Sequence, residues 1–269
     1  MTRALIDTHV HLDAAPLGGD QASWNDARAA GVVAAITVGV SPSTWGRAIE
    51  IARARKGVSI ALGIHPQVVP ELDDAAIRRA LDELPSLLRG CDAVAIGECG
   101  LDAPAGDLER QRTTLRSHLE LARALSLPIS LHVYKAHGAA VALLRDFGAL
   151  PAGGVAHSYS GPPELVRAYL DAGLSISFAG AITRSNAKRP LAAARAVPRD
   201  RLVIETDAPF QPAGADARDR KHGSPADLPA ILAALAAARG DDEDELAEVT
   251  TANARRIFFS STQGKNKIG

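Results

Sequence analysis

The stretch Leu5-Ile6-Asp7-Thr8-His9-Val10-His11-Leu12 is the first of eight short runs rich in valine and isoleucine. The runs lack polar alternation, and helical patterns separate them. Runs that are apolar on both faces and alternate with helices are typical of parallel strands buried on both sides. The eight predicted strands are residues 5–12, 34–40, 59–65, 93–97, 128–133, 154–158, 174–178 and 201–207.

Seven helices are predicted around these strands, several of them ending just before a glycine, which commonly caps a helix. They cover residues 20–30, 42–56, 73–89 with a break at Pro85, 107–126, 163–172, 226–239 and 243–259. This order and size predict an α/β fold, a TIM (β/α)8 barrel forming a single domain over residues 1–259. An open doubly wound sheet is the alternative. Residues 260–269 are polar and are predicted to form a disordered tail.

Composition excludes several classes of protein. The chain is 46% hydrophobic and 23% charged, which is ordinary for a globular protein. No apolar stretch reaches the roughly 18 residues needed to cross a bilayer, and no signal peptide is evident. With only two cysteines, Cys91 and Cys99, we expect a cytoplasmic protein with reduced thiols, no membrane association and no obligate protein partner. The net charge of -1 means that any polyanion must be held by local groups.

Polar residues at the ends of the predicted strands are the candidates for chemistry, because active sites of TIM barrels lie there. His9 and His11 are two residues apart on a strand and therefore share a face. A pair of core histidines bonded to backbone carbonyls is the alternative, but it would be costly to satisfy without a metal. Glu98, His132, His157 and the Glu205/Asp207 pair end four further runs.

Together these residues predict a metal site at one mouth of the barrel. A catalytic zinc takes about three protein ligands, so six strong donors favour two divalent ions, whether magnesium, manganese or zinc. The candidate ligands are four histidines, His9, His11, His132 and His157, with one to three of the carboxylates Glu98, Glu205 and Asp207.

Six motifs, in chain order, resemble the TatD family of metal-dependent hydrolases. They are residues 6–13 (IDTHVHLD), 63–66 (GIHP), 96–102 (IGECGLD), 128–132 (PISLH), 157–161 (HSYSG) and 205–209 (ETDAP). Residues 253–258 (NARRIF) also resemble the family's C-terminal helix, so the resemblance covers nearly the whole chain. It places the chain among the amidohydrolase-like TIM barrels.

The resemblance implies a role for each predicted ligand. His9, His11 and Asp207 would bind one metal, His132 and His157 the second, and Glu98 would bridge the two. Asp207 and Glu98 would be the catalytic residues, with Asp207 as general base for a metal-bridged hydroxide. The implied reaction is hydrolysis of an ester bond by a deoxyribonuclease, a 3′-5′ exonuclease that acts on single-stranded DNA as its substrate.

Substrate contacts are predicted from residues near the strand ends. Basic groups follow the seventh strand (Arg184, Lys188, Arg189) and the eighth (Arg218, Arg220, Lys221, His222), where they could hold phosphates or form solvated loops. Tyr134 and Tyr159 could stack on a base or pack at the rim. His65 would face substrate or support the site, rather than bind a metal. The candidate substrate-binding residues are His65, Tyr134, Tyr159, Arg184, Glu205 and Arg220.

Two other functions compete with the nuclease. The same metals could hydrolyse an amide or ester, as a deacylase acting on a small or aminoacyl substrate. A catalytically silent metal-binding barrel could instead serve a partner protein. The complete ligand set, including Asp207, argues against the silent barrel, since such a protein would be free to lose at least one of these groups.

Overall fold

Eight parallel strands hydrogen-bond in chain order to form a barrel in the computed structural model, which describes residues 3–17, 21–214 and 217–260. The strands are β1 (Leu5–Val10), β2 (Val32–Gly39), β3 (Val58–Leu62), β4 (Ala95–Asp102), β5 (Ile129–Tyr134), β6 (Gly154–Ala156), β7 (Leu174–Phe178) and β8 (Leu202–Ile204). Each strand pairs in parallel with the next from β1 to β8. The predicted TIM barrel is confirmed.

The chain that follows β8 returns to β1 and closes the barrel. The backbone N–H of Asp207 donates to the carbonyl of His9 at 3.0 Å, and the N–H of His11 donates to the carbonyl of Ala208 at 2.9 Å. The buried Asp7 carboxylate joins the same ends, accepting hydrogen bonds from the Thr206 N–H at 2.9 Å and hydroxyl at 2.5 Å. This closure excludes the open doubly wound sheet.

Nine α-helices surround the barrel within the part of the chain that the structure describes. They are α1 (Gln21–Ala29), α2 (Trp45–Ala54), α3 (Asp74–Gly90), α4 (Leu108–Leu125), α5 (His137–Phe147), α6 (Val166–Asp171), α7 (Lys188–Ala196), α8 (Leu228–Arg239) and α9 (Glu243–Phe258). The helices α5 and α7 are additional to the seven predicted ones.

The helix α3 continues through Pro85, so the predicted break is wrong. A proline inside a helix costs about 3 kcal/mol, because it removes one hydrogen bond and crowds the preceding turn. Ile77 and Ala80 before the proline and Leu88 after it are all buried. Burial of a large aliphatic side chain contributes about 1.5–3 kcal/mol, so the buried face on both sides of Pro85 outweighs the cost.

Only β7 has the predicted bounds, and the differences at the ends of β4, β6 and β8 position the site. The strand β4 runs on to Asp102, so Glu98 lies inside it, and a register shift against β5 falls between Ile96 and Cys99. Strands β6 and β8 end before His157 and Asp207, which therefore lie on the loops just beyond. The extended β4 and the short β6 and β8 bring all three to one level at the C-terminal mouth.

The ends of the chain are only partly described. The predicted tail lies outside the described residues except for Ser260, and so does Asp20, the predicted start of the first helix. The single-domain boundary at residue 259 stays a prediction. Among the described residues, no helix is both long enough and apolar enough to cross a membrane.

Candidate metal centre

The six predicted ligands meet at the C-terminal mouth of the barrel, and all but the partly exposed His132 are buried. They come from five places in the chain: β1 and the residue after it, β4, β5, and the loops after β6 and β8. Gly97, whose φ is +123°, allows the close approach of β4 to β5 at this level, because a Cβ there would lie 2.4 Å from the Ser130 carbonyl oxygen.

One side of the Glu98 carboxylate faces three other ligands, His9, His11 and Asp207. We call these three residues the Oε2 group. Glu98 Oε2 lies 3.2 Å from His9 Nε2 and 3.6 Å from His11 Nε2. Asp207 Oδ1 lies 3.3 Å from His11 Nε2 and 3.9 Å from His9 Nε2. His9, His11 and Glu98 are thus close enough to share one ion, and Asp207 Oδ1 lies beside the two histidines.

The other side of the same carboxylate faces three histidines, His132, His157 and His65. We call these three residues the Oε1 group. Glu98 Oε1 lies 2.7 Å from His132 Nδ1 and 2.9 Å from His157 Nε2. His65 Nε2 lies 3.3 Å from the same oxygen, so His65 lies among the candidate metal ligands rather than only supporting them. Glu98 thus presents one oxygen to each group.

The donor atoms of both groups fit divalent cations. His9 Nε2 and His11 Nε2 are 3.2 Å apart, and His132 Nδ1 and His157 Nε2 are 3.3 Å apart. Only one hydrogen can lie between two such nitrogens, so the pairs gain most from a cation that accepts both lone pairs. Three sets of side chains in the described residues are close enough to share an ion: His9 with His11 and Glu98, His65 with Glu98 and His132, and His9 with His157 and Glu205.

Three of the histidines are oriented from behind by a polar side chain. His9 Nδ1 is hydrogen-bonded to Ser130 Oγ at 3.0 Å and His157 Nδ1 to Glu205 Oε1 at 3.1 Å, whereas His132 Nε2 lies 3.4 Å from Asp102 Oδ2, within ion-pair distance but without a hydrogen bond. Metal-binding histidines are usually held in this way, which fixes the ring and the nitrogen that faces the metal. Sequence reasoning missed Ser130 and Asp102. Ser130 is two residues before His132 on β5, and Asp102 is four residues after Glu98 on β4. Residues at even spacings on a strand share a face, so this spacing could have identified both.

Glu205 was predicted to contact substrate, but the structure places it elsewhere. Its side chain is fully buried and accepts hydrogen bonds from the Ser158 N–H at 2.6 Å and the Thr8 hydroxyl at 3.1 Å. Together with its contact to His157, these bonds place Glu205 behind the Oε1 group, where it has no surface to offer a substrate.

Electrostatics favour charged carboxylates in the centre. Burial alone would raise the pKa of Glu98, but His65, His157 and the other neighbouring imidazoles hold it well below its usual range. Burial opposes ionisation of Asp207 as well, yet the hydrogen bond from His11 and the nearby histidines lower its pKa to about 2. Both groups are therefore carboxylates at neutral pH. Burial would lower the pKa of His157, but Glu98 and Glu205 raise it well above its ordinary value.

Comparison with known proteins agrees with this geometry. The family model described as TatD related DNase matches residues 6–259. The chain belongs to the TatD family. It is 31% identical over 257 residues to the uncharacterized metal-dependent hydrolase YabD of Bacillus subtilis, covering 94% of this chain and 98% of that one. It is 34% identical over 241 residues to the 3′-5′ ssDNA/RNA exonuclease TatD of Erwinia tasmaniensis, covering 86% and 90%.

A solved structure shares the whole architecture. The crystal structure of YjjV, a TatD homologue from Escherichia coli, superposes with a TM-score of 0.88 at 30% identity, covering 97% of this chain and 100% of that one. The resemblance seen in the motifs is thus confirmed, and the chain is a metal-dependent hydrolase of the TatD family.

In this TatD-family barrel, a cavity of about 310 Å³ opens onto the ligands. Its wall includes His132, Val133, Tyr134, His157, Ser158, Ser160, Ala181, Arg184, Asp207 and Gln211. The predicted substrate contacts Tyr134 and Arg184 lie in this wall, and Tyr134 is 43% exposed. Gln211, which sequence reasoning missed, lies on an irregular loop whose pattern gives no signal.

Tyr159 and Arg220 occupy other places than those predicted. Tyr159 is 3% exposed, and its hydroxyl donates to the carbonyl of Pro162 at 2.8 Å, so its ring offers no face for a base. The Arg220 guanidinium donates to Asp227 at 2.9 and 3.0 Å and to the Ala213 carbonyl. Arg220 therefore holds its own loop together and is not in the cavity wall.

Proposed function

We propose that this TatD-family hydrolase is a deoxyribonuclease that cleaves phosphodiester bonds with two divalent ions, removing nucleotides from the 3′ end of single-stranded DNA. The observation that carries the proposal is the division of Glu98, whose two oxygens face two separate groups of ligands. The Erwinia relative named as a 3′-5′ ssDNA/RNA exonuclease supports the choice of substrate.

The residues that would hold the ions follow from the two groups. His9, His11 and Asp207 would hold the first ion, and His132 and His157, with His65 beside them, the second; Glu98 would join both. When bound, magnesium, manganese or zinc polarises a phosphoryl oxygen and lowers the pKa of water at the site. The mixture of imidazole and carboxylate ligands suits any of the three.

Asp207 is the residue we propose as general base. It is ionised at neutral pH, since its pKa is about 2, and it lies both among the ligands and in the cavity wall. A carboxylate at this boundary can accept a proton from the attacking water and hold it away from the phosphate. Glu98, buried deeper, would position ions rather than move protons.

A path for the DNA strand leads away from the cavity. Arg184 lines the cavity and also a second cleft of about 420 Å³, whose other lining residues include Asn186 and Arg218. Two guanidinium groups along one path can contact successive phosphates, while Tyr134 at the rim can stack on a base. The narrow cavity favours the end of a single strand over a duplex.

A cytoplasmic location goes with this proposal. Cys91 and Cys99 are both buried thiols that form no disulfide bond with each other, as expected in a reducing compartment. Fractionation of cells that express the protein would test the location.

The experiment offers metal-stripped protein magnesium, manganese or zinc with four substrates: single strands labelled at the 3′ or the 5′ end, a plain phosphodiester, and an acylated amino acid. We expect early release of the 3′ label and stepwise shortening of the 5′-labelled strand. Asp207→Asn is the control, and it should lose turnover while keeping much of the metal. Turnover of the acyl substrate alone would refute the nuclease and establish the deacylase, and metal binding without any turnover would establish the silent barrel.

A further inference from the structure

Gln211 connects three loops at the mouth of the barrel. Its Nε2 lies 2.6 Å from Asp207 Oδ2 and 2.6 Å from Ser158 Oγ, and its Oε1 lies 3.1 Å from the Ala181 backbone nitrogen. These partners follow β8, β6 and β7 respectively. One side chain therefore ties a metal ligand to two neighbouring loops.

The three contacts allow only one orientation of the carboxamide. The Ala181 N–H can only donate, so it requires the oxygen of Gln211. The NH2 group then faces Asp207 and Ser158, and each of its two hydrogens has an acceptor. The flipped carboxamide would place its oxygen against the Asp207 carboxylate and its NH2 against the Ala181 N–H, which is doubly unfavourable.

This orientation decides which oxygen of Asp207 faces the ligands. With Oδ2 held by Gln211, Oδ1 is turned towards His11 Nε2 at 3.3 Å and His9 Nε2 at 3.9 Å. The backbone of Asp207 has a φ of +53°, a left-handed conformation that is strained for a residue with a side chain. Such a position needs support from its surroundings, and the N–H···O bond to a carboxylate is among the stronger kinds.

We propose that Gln211 is a positioning residue that holds Asp207 so that its Oδ1 is presented to the metal. The kinetic part of this inference rests on the proposed function, whereas the metal-binding part does not. Without the carboxamide, Asp207 can rotate about its side-chain bonds and Oδ2 loses its partner. Loss of a group that orients a ligand typically lowers metal affinity about 10–100-fold.

The test is titration of metal-stripped protein with Zn²⁺ and with Mn²⁺ in a calorimeter, for the wild type and Gln211→Leu. We expect the affinity of one metal equivalent to fall about 10–100-fold in the variant. Gln211→Glu should be at least as impaired, because it places a second carboxylate against Asp207. The matched control is Gln21→Leu on the exposed face of α1, which should bind both metals like the wild type. Unchanged affinity in Gln211→Leu overturns the proposal.

A double-variant cycle distinguishes positioning from general loosening of the site. If Gln211 acts through Asp207, Gln211→Leu should add little to the loss of affinity already caused by Asp207→Asn. Additive losses overturn the proposal, because they mean that Gln211 acts on the metal by another route. Thermal unfolding in chelator shows whether each variant is folded.

Kinetics give a separate readout. On the single-stranded substrate, Gln211→Leu should lower kcat about tenfold or more and leave KM within about twofold, since the residue acts through Asp207 rather than on the substrate. A raised KM with unchanged kcat and metal affinity would make Gln211 a substrate contact and overturn the proposal. If the wild type cleaves no phosphodiester, the proposed function fails, and the calorimetric cycle alone still decides the role of Gln211.

Discussion

The two groups of ligands on either side of Glu98 differ in charge and in exposure. The Oε2 group contains a second carboxylate, Asp207, whereas the Oε1 group contains only histidines. His9 in the Oε2 group is completely buried, while the side chain of His132 in the Oε1 group is 17% exposed and lines the cavity. Glu98 gives each group half of one negative charge.

The difference predicts unequal affinity for metal. Two carboxylates largely neutralise a divalent ion in the Oε2 group, and burial strengthens that attraction. An ion in the Oε1 group would contact one carboxylate, the shared Glu98, because Glu205 and Asp102 lie behind the histidines, and it would lie closer to the cavity. We therefore expect the Oε2 ion to be the tightly held one and the Oε1 ion to exchange more readily and contact the substrate.

Removal of the shared charge should have the largest effect. Glu98→Gln keeps the shape of the side chain but removes the negative charge that both groups share. We therefore expect the affinity for both metal equivalents to fall by more than about 100-fold, which exceeds the usual loss when a residue that only orients a ligand is removed. Phosphodiester turnover should fall by about 10³-fold or more. Metal analysis after dialysis and steady-state kinetics measure the two effects.

The control for this substitution is Glu109→Gln on the exposed face of α4, which should change neither quantity. Full retention of one tightly bound equivalent in Glu98→Gln would break the comparison, because the two groups would then not depend on a common carboxylate.

His118 is a buried histidine outside both groups, and it shows how burial changes the pKa of an imidazole that has no carboxylate beside it. The backbone N–H of Ile64 donates to His118 Nε2 at 3.1 Å, and burial lowers the pKa of His118 to about 4. The unfolded chain takes up this proton near pH 6.5, whereas the folded chain does so only near pH 4. The contribution of His118 to stability is thus complete above pH 6.5 and is lost as the pH falls towards 4.

The expected loss from His118 is about 3 kcal/mol of unfolding free energy across this window. Denaturant unfolding of the metal-stripped protein at several pH values measures it, with His118→Gln as the comparison. The variant should show a shallower dependence on pH, while the titration of the ligand histidines remains in both proteins. Parallel curves would show that His118 is protonated equally in the folded and unfolded states.

Glu205→Gln should affect the Oε1 group alone. Gln keeps an acceptor for the Ser158 N–H but removes the charge behind His157, which makes the imidazole a weaker ligand. We expect one metal equivalent to weaken about 10–100-fold while the other is unchanged. Calorimetric titration resolves the two equivalents, and equal weakening of both would contradict the separation into two groups.

The smallest effect is expected at the rim. Tyr134→Leu should raise KM for a single strand about fivefold, the lower range for loss of one stacked base, without changing metal affinity. Tyr134→Phe keeps the ring and should behave like the wild type. If Phe and Leu variants are equally impaired, the tyrosine hydroxyl rather than stacking contacts the substrate.

The inner part of the molecule could be predicted because its signals are local. Each buried strand appears as an apolar run, and a histidine or carboxylate that interrupts such a run stands out; His9, His132 and Asp207 were found in this way. Glu98 was identified, yet its place inside β4 was not, because Glu98 and Gly100 interrupt the apolar run although the strand continues through them.

The outer part depends on contacts that sequence spacing does not show. Tyr159 and Tyr134 follow ligand histidines at equal distances, yet one is buried and the other exposed, because the loop after β6 turns inward while β5 continues to the rim. Arg220 is one of several basic residues after β8, and only the fold shows that Asp227 neutralises it.

The hydrogen bonds between Asp7 and Thr206 join the two ends of the barrel, and they have a consequence for the order in which the metal centre is completed during synthesis of the chain. These residues are 199 positions apart, and a ribosome releases the N-terminal part first. His9 and His11 therefore leave the ribosome long before Asp207, their partner carboxylate. A nascent or truncated chain that lacks the segment after β8 cannot complete the Oε2 group, so full metal loading must await translation of nearly the entire barrel.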